Sequence, residues 1–284
     1  MDLFFSYEEA TLLLWQDEKY HQLMFDSYLE LDPVKSALRY RESEEFVEIC
    51  SILSRKIREG TVLDLGAGNG ILSFALADCG YKVIALEPGD GAITGRKAIE
   101  AIQNSTGTFF EIIAGWGEGI PLNDASVDVV IARQVLHHAG DLQRMCNEVH
   151  RVLKPKGFFL ALREHVVFKQ GDLEIFLSQH PMHKLTGQEN AFSLQFYKEC
   201  MKRSGFSRIK VYAFWDTVLN YAPIKKDSID EAFAGMLKKK IPFLNEKTVE
   251  KCFATIPCAK CLGRFFLKAI SKAPGCLYTF EATK

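Results

Sequence analysis

Residues 62–70 read Val62-Leu63-Asp64-Leu65-Gly66-Ala67-Gly68-Asn69-Gly70, a short apolar run that passes directly into three glycines at alternate positions. An apolar run of that length, bounded by glycine, reads as a buried strand. The glycines let the backbone turn sharply and let a ligand approach without meeting a Cβ. The helix that follows begins with N–H groups free to meet a negative or polar group. The spacing excludes one ligand class. A dinucleotide fingerprint, G-x-G-x-x-G, needs its third glycine where Ile71 stands, and Gly70 falls one residue early. Asp64 lies inside the strand, where a carboxylate is costly unless it hydrogen-bonds the loop or a ligand.

Outward from this stretch the same texture repeats. Apolar runs at 82–86, 109–113, 127–132 and 157–162 alternate with helical segments, the signature of buried parallel strands in βαβ units. Two further strands are expected at 208–214 and 276–282. Before the first strand, apolar residues at helical spacing predict helices over 7–31, ended by Asp32-Pro33, and over 34–59, ended by Glu59-Gly60. Helical insertions are expected after strand five and over 218–275. The fold class is a doubly wound α/β sheet with four expected parts: an N-terminal helical cap at 1–59, a core at 60–165, an insertion at 166–207, and C-terminal strands at 208–284. Strand two ends in Leu86-Glu87-Pro88, and a carboxylate at that edge can accept both hydroxyl protons of a ribose diol.

Composition narrows the class of function. The chain of 284 residues is 48% hydrophobic and 25% charged, an ordinary globular balance. With a formal net charge of -1 it lacks the excess of cations a dedicated nucleic-acid scaffold carries, so no DNA partner is expected. No run of about 18 apolar residues suggests a membrane span. The first residues lack the basic and apolar regions of a secretory signal. Eight scattered cysteines fit reduced thiols in a cytoplasmic protein better than a disulfide framework.

Three motifs in order, VLDLGAGNG at 62–70, ALEP at 85–88 and SVDVVIARQVLHHAGDLQRMCNEVHRVLKPKGFFLALRE at 126–164, resemble the class I S-adenosylmethionine-dependent methyltransferases of the type 11 group. The resemblance covers residues 60–163. It implies a Rossmann-like, mostly parallel sheet of seven strands in the order 3-2-1-4-5-7-6, its last strand antiparallel. It also implies S-adenosylmethionine as cofactor and S-adenosylhomocysteine as product. Carried over by position, Asp64, Gly66, Ala67, Gly68 and Gly70 surround the methionine part and sugar, and Glu87 with Pro88 meets the ribose. After strand three the chain has Gly115-Trp116-Gly117-Glu118, with Trp116 where the family usually has an acid. Gly117 keeps a backbone N–H for the adenine, while Trp116 either stacks on the purine or packs beneath the loop. Arg133 either pairs with the methionine carboxylate or is solvated at a helix start. Lys156 stands where the family's turn has glycine. His138 matches the family's histidine next to His137, and a structural role competes there with that of a base.

The expected reaction is an in-line displacement to an O, N or C atom of a small or medium-sized metabolite, enclosed by the helical caps. An RNA or protein acceptor and a cofactor-binding protein without catalysis are the alternatives. Acceptor-facing candidates are His138, Glu164 and His165, followed by His180, His183 and Glu189. Glu164, His165, His180 and His183 are plausible ligand types and invite a metal reading, as does Cys258-Ala259-Lys260-Cys261. Pro181 separates the two histidines and no second cysteine pair exists, so no metal ligand set is assigned. Residues 225–272 hold 11 Lys/Arg against 5 Asp/Glu, either to attract an anionic acceptor or as the solvated face of a helical cap. Acceptor identity and oligomeric state stay open at this level.

Overall fold

The computed structural model describes residues 4–57, 59–228 and 272–284, with isolated positions between 231 and 251. Four helices precede the first strand: α1 (Tyr7–Trp15), α2 (Glu18–Asp26), α3 (Pro33–Arg41) and α4 (Glu44–Lys56). Ser6, Asp17, Asp32 and Ser43 cap them, each accepting a backbone N–H in the first turn. Asp17 and Ser43 explain why the two long helical stretches expected over 7–31 and 34–59 are each divided. A good cap begins a new helix more cheaply than a continuous one satisfies the change of direction.

The strand–helix alternation then follows: β1 (Thr61–Leu65), α5 (Ile71–Asp78), β2 (Lys82–Leu86), α6 (Arg96–Thr106), β3 (Glu111–Ile113), β4 (Val127–Arg133), α7 (Leu142–Val152) and β5 (Leu153–Val167). The remainder is α8 (Asp172–Gln179), α9 (Pro181–Thr186), β6 (Phe192–Ser193), α10 (Leu194–Arg203), β7 (Ser207–Tyr212), α11 (Val218–Tyr221) and β8 (Cys276–Thr283). The sheet runs β3-β2-β1-β4-β5-β8-β7, with β8 antiparallel to both neighbours. That is the expected order with one addition. The eighth strand is the two-residue β6, which pairs with the far end of β5 inside the stretch expected to be wholly helical. The predicted insertion over 218–275 lies largely outside the described residues, and with it Cys258, Cys261 and Lys238-Lys239-Lys240.

Both sheet faces are buried, as continuous apolar runs require. One face packs Leu63, Val130, Phe159 and Phe280 against Met145 and Tyr197 of α7 and α10. The other packs Val62, Val129 and Leu160 against Tyr40 and Phe46 and against Leu72 of α5. Thus α3 and α4 form part of the core layer, while α1 and α2 lie over the carboxyl edge. Each such side chain contributes about 1.5–3 kcal/mol by leaving water, so the strand ends are rigid mounts.

Two backbone departures matter at that edge. Gln134 follows β4 at φ 58, and Arg163 within β5 sits at φ 60 beside a register shift between Ala161 and Glu164. A bulge of this kind re-aims the side chains after it. Lys156 takes φ 69, which accounts for the glycine the family prefers in this turn.

Candidate functional site

A cavity of about 1440 Å³ opens at the carboxyl ends of β1, β2, β4 and β5. It exceeds the ~300–1,000 Å³ of an ordinary single-ligand pocket, so it has room for two bound molecules. Its roof is a separate apolar cluster in which Ala10 and Leu14 of α1 meet Met24 of α2 and Met182 of α9. The Phe5 N–H donates to the Leu185 carbonyl at 3.0 Å and ties the chain before α1 to α9.

The loop after β1 forms one end. Gly66, Gly68 and Gly70 take φ of 66°, 57° and 82°, the left-handed region that favours glycine. A Cβ on Gly66 would meet Val135 Cγ2 at 2.8 Å, and one on Gly70 would meet Ile99 Cγ1 at 2.8 Å. A Cβ on Gly68 would meet nothing within 4 Å, because that side of the loop faces open cavity. Gly68 and Gly70 should therefore separate in experiment. Gly70→Ala is expected to cost about 1–3 kcal/mol of stability through backbone strain, with added crowding against Ile99. Gly68→Ala carries the strain without the clash, and its new methyl enters the ligand's space. Urea midpoints and ligand titrations on both variants test this. Equal losses of stability would contradict the assignment.

Asp64 is buried, accepts the Ser73 hydroxyl at 2.6 Å and borders the cavity. Burial pushes its carboxyl up to about 7. Glu87 bridges two turns, accepting the Gly68 N–H on Oε2 and the Gly89 N–H on Oε1, both at 2.7 Å. Burial raises its pKa, against the pull of those two N–H groups and Arg96. Each oxygen keeps a second lone pair for a ligand hydroxyl. Pro88 and Gly117 also line the cavity. Trp116 stands at its rim, 70% exposed, which removes the reading that it packs beneath the loop.

Arg133 lines the cavity, but its fork is directed elsewhere. Nε and Nη2 donate to the two Glu45 oxygens at 2.6 and 3.1 Å, and Nη1 donates to Gln134 Oε1 at 3.2 Å. The bidentate face expected to meet a ligand carboxylate is thus held by α4, and the alternative of a solvated Arg133 fails as well. Burial lifts the Glu45 carboxyl, but Arg133 and Arg163 outweigh it and hold it below its ordinary value.

The other end is built from imidazoles. Behind the wall, Glu164 is wholly buried and does not line the cavity, which corrects its expected acceptor-facing role. It accepts the Val135 and His137 N–H groups at 3.1 Å each, and its Oε2 lies 2.7 Å from His137 Nδ1. The shifted register of β5 turns it toward the 3₁₀ turn Leu136–His138. Burial pushes Glu164 up to about 7 and pulls His137 well below its ordinary value, with His138 and His180 adding to the latter. His137 Nε2 faces the Glu189 carboxylate at 3.7 Å, and His138 Nε2 lies 3.8 Å from the same oxygen. His165 borders the cavity with Nδ1 2.7 Å from the Gly275 carbonyl. His180 caps α9, its Nδ1 accepting the His183 N–H at 3.4 Å.

The structure therefore joins His137, His138, His165, His180 and Glu189 around one space, from four chain segments. Sequence reading treated His137 only as a neighbour and gave Tyr7 and Glu45 no role. Tyr7 lines the cavity and burial pushes its hydroxyl above the ordinary range. For Glu45 the available signal was an acid beside Phe46 on the apolar side of a helix, and nothing local names its partner.

Residues 63–161 match a family described as a methyltransferase domain. A protein of Mycolicibacterium gilvum described as an uncharacterized methyltransferase is 31% identical over 111 residues, covering 39% of this chain and 41% of that one. A similarly described protein of Mycobacterium tuberculosis is 38% identical over 96 residues, covering 34% and 36%. The match thus spans about two fifths of the length of these relatives. Among solved structures, phosphoethanolamine N-methyltransferase 2 of Haemonchus contortus, in complex with S-adenosyl-L-methionine, superposes with a TM-score of 0.54 at 18% identity, covering 84% of this chain and 52% of that one. At that identity the likeness concerns the fold. The matched residues hold the glycine loop and the strand-four segment, so over 63–161 the chain is similar to a methyltransferase domain.

Proposed function

We propose that this protein transfers a methyl group from S-adenosylmethionine to a small or medium-sized metabolite held inside the cavity. The observation that carries this reading is the single cavity with two chemically different ends: a glycine loop with Glu87 at one, imidazoles and Glu189 at the other. The donor end fits S-adenosylmethionine, since Gly68 leaves open space where a Cβ would project and Glu87 presents a half-buried carboxylate beside it. In this reading Glu87 accepts the ribose hydroxyls, Gly117 offers its N–H to the adenine and Trp116 covers the purine at the rim. Arg133 acts on the methionine end through its charge, its fork being held by Glu45.

S-adenosylmethionine, when bound, supplies a methyl group made electrophilic by the cationic sulfur. The protein's task is to hold the acceptor in line behind that methyl and to keep water away. Helices α1, α2 and α9 serve the second purpose, and their closure over the edge favours a small acceptor over RNA or protein. Glu164 fixes the ring of His137 through Nδ1 and so acts as a positioning residue. His137, His138 and His165 are the groups available to the acceptor. No helix among the described residues is long and apolar enough to cross a membrane, and the five described cysteines are unbridged. A cytoplasmic location fits those unbridged thiols.

Thermal denaturation with S-adenosylmethionine, S-adenosylhomocysteine and NADH tests the reading. A ligand at a hundred times its Kd stabilises the native state by about 2.7 kcal/mol. The two sulfur nucleosides are expected to raise the midpoint and NADH to leave it unchanged. Folded protein free of copurified ligand that responds to neither nucleoside would refute the proposal.

A further inference from the structure

We propose that His137, His138 and Glu189 form a three-ligand site for one divalent transition-metal ion at the acceptor end of the cavity. One donor atom from each lies within 4.8 Å of the others. The separations from Glu189 Oε2 to the two Nε2 atoms, 3.7 and 3.8 Å, are too long for hydrogen bonds. They suit an ion between them, since donors bound to zinc at ~2.0–2.1 Å in a tetrahedral arrangement stand roughly 3.4 Å apart.

Two independent observations point the same way. Glu164 sits on the far side of His137, with Oε2 2.7 Å from Nδ1. A carboxylate there accepts a hydrogen bond from Nδ1–H and so leaves the Nε2 lone pair aimed into the cavity, the outer arrangement that metal-bound histidines use. Glu189 supplies the second. Its side chain is 4% exposed and accepts no hydrogen bond among the described residues, although a buried carboxylate needs a cation or donors. Two imidazoles and one carboxylate suit zinc, iron(II) or manganese(II) better than calcium or magnesium. All three residues line the cavity, so an ion they held would be open to a molecule bound there.

This assigns a substrate class and, in that respect, rests on the methyl-transfer reading. The acceptor is a hydroxyl compound, phenolic or enolic, whose oxygen binds the ion. Binding lowers the hydroxyl pKa and its proton leaves to water. The oxygen then forms a bond to the methyl carbon as the carbon–sulfur bond breaks, and the electron pair returns to sulfur as a neutral thioether.

The test uses the full chain, stripped with a chelator and titrated with Co²⁺ as a spectroscopic probe, then with Zn²⁺ in competition. One equivalent of Co²⁺ is expected to give a visible d–d spectrum that Zn²⁺ erases. His138→Ala and Glu189→Gln should each abolish it. Glu164→Gln should leave the fold intact and weaken metal affinity by about 10–100-fold. The stabilisation by S-adenosylhomocysteine is read on the same samples. No stoichiometric spectrum, or one that survives both ligand substitutions, would overturn the site even where the nucleoside still stabilises. A normal metal titration without nucleoside stabilisation would leave the site standing and remove the methyl-transfer reading.

Discussion

Glu45→Ala is expected to cost about 3–5 kcal/mol of folding free energy, the loss that follows when one member of a buried ion pair is removed. Glu45 is 1% exposed. It holds the Arg133 fork at 2.6 and 3.1 Å, accepts the Tyr40 hydroxyl at 3.2 Å and lies 3.8 Å from Arg163 Nη1. Without it, two guanidinium groups stay buried, Arg133 with Gln134 and the Tyr28 and Tyr40 rings, and Arg163 with backbone carbonyls. Against a typical total of about 5–15 kcal/mol, that loss brings the chain close to unfolding at room temperature. Urea denaturation checks it. Glu45→Leu combined with Arg133→Met should recover part of the loss, since it removes one of the two charges left without a partner and leaves only Arg163 on its backbone carbonyls. An Ala variant with an unchanged midpoint would show that water reaches the pair.

Glu87→Ala is expected to weaken S-adenosylhomocysteine binding by at least about a hundredfold, given ~1.5–3 kcal/mol for each hydrogen bond to a charged group and two ribose hydroxyls. Some of the effect passes through the loop, because the same carboxylate holds the Gly68 and Gly89 N–H groups. Glu87→Gln keeps the shape and loses the charge, so it isolates the electrostatic part. The pH dependence supplies a second readout. Burial raises the Glu87 pKa above its ordinary 4.5, and the ionised form is the one that accepts both hydroxyls. Affinity is therefore full above the raised pKa and falls as pH drops through it, beginning at a higher pH than an exposed glutamate would give. Calorimetric titrations across that range should show the fall in the native chain and none in Glu87→Gln. Parallel curves would assign the pH dependence to another group, such as Asp64.

Much of the glycine-loop end of the cavity was legible because its signals are local. Glycines at 66, 68 and 70, an acid at the end of β2 and alternating apolar runs each express a backbone requirement within a few residues. The sheet order was reached the same way, through resemblance over 60–163. The misses have equally specific reasons. The two-residue β6 is too short to leave a periodic pattern. Glu164 reads as an edge residue until the register shift in β5 turns it inward behind His137. Arg133 points at the cavity by position, and only the packing of α4 on the sheet shows that Glu45 takes its fork.

By itself the sequence determined the α/β class, the glycine loop and the acid at the end of β2, since these follow from dihedral freedom, periodicity and the chemistry of adjacent residues. The tertiary structure alone decided which imidazoles share a space with Glu189, what Arg133 pairs with and how α1, α2 and α9 roof the edge. Such groupings join segments far apart in the chain, and their energies depend on burial and distance, which no local pattern records.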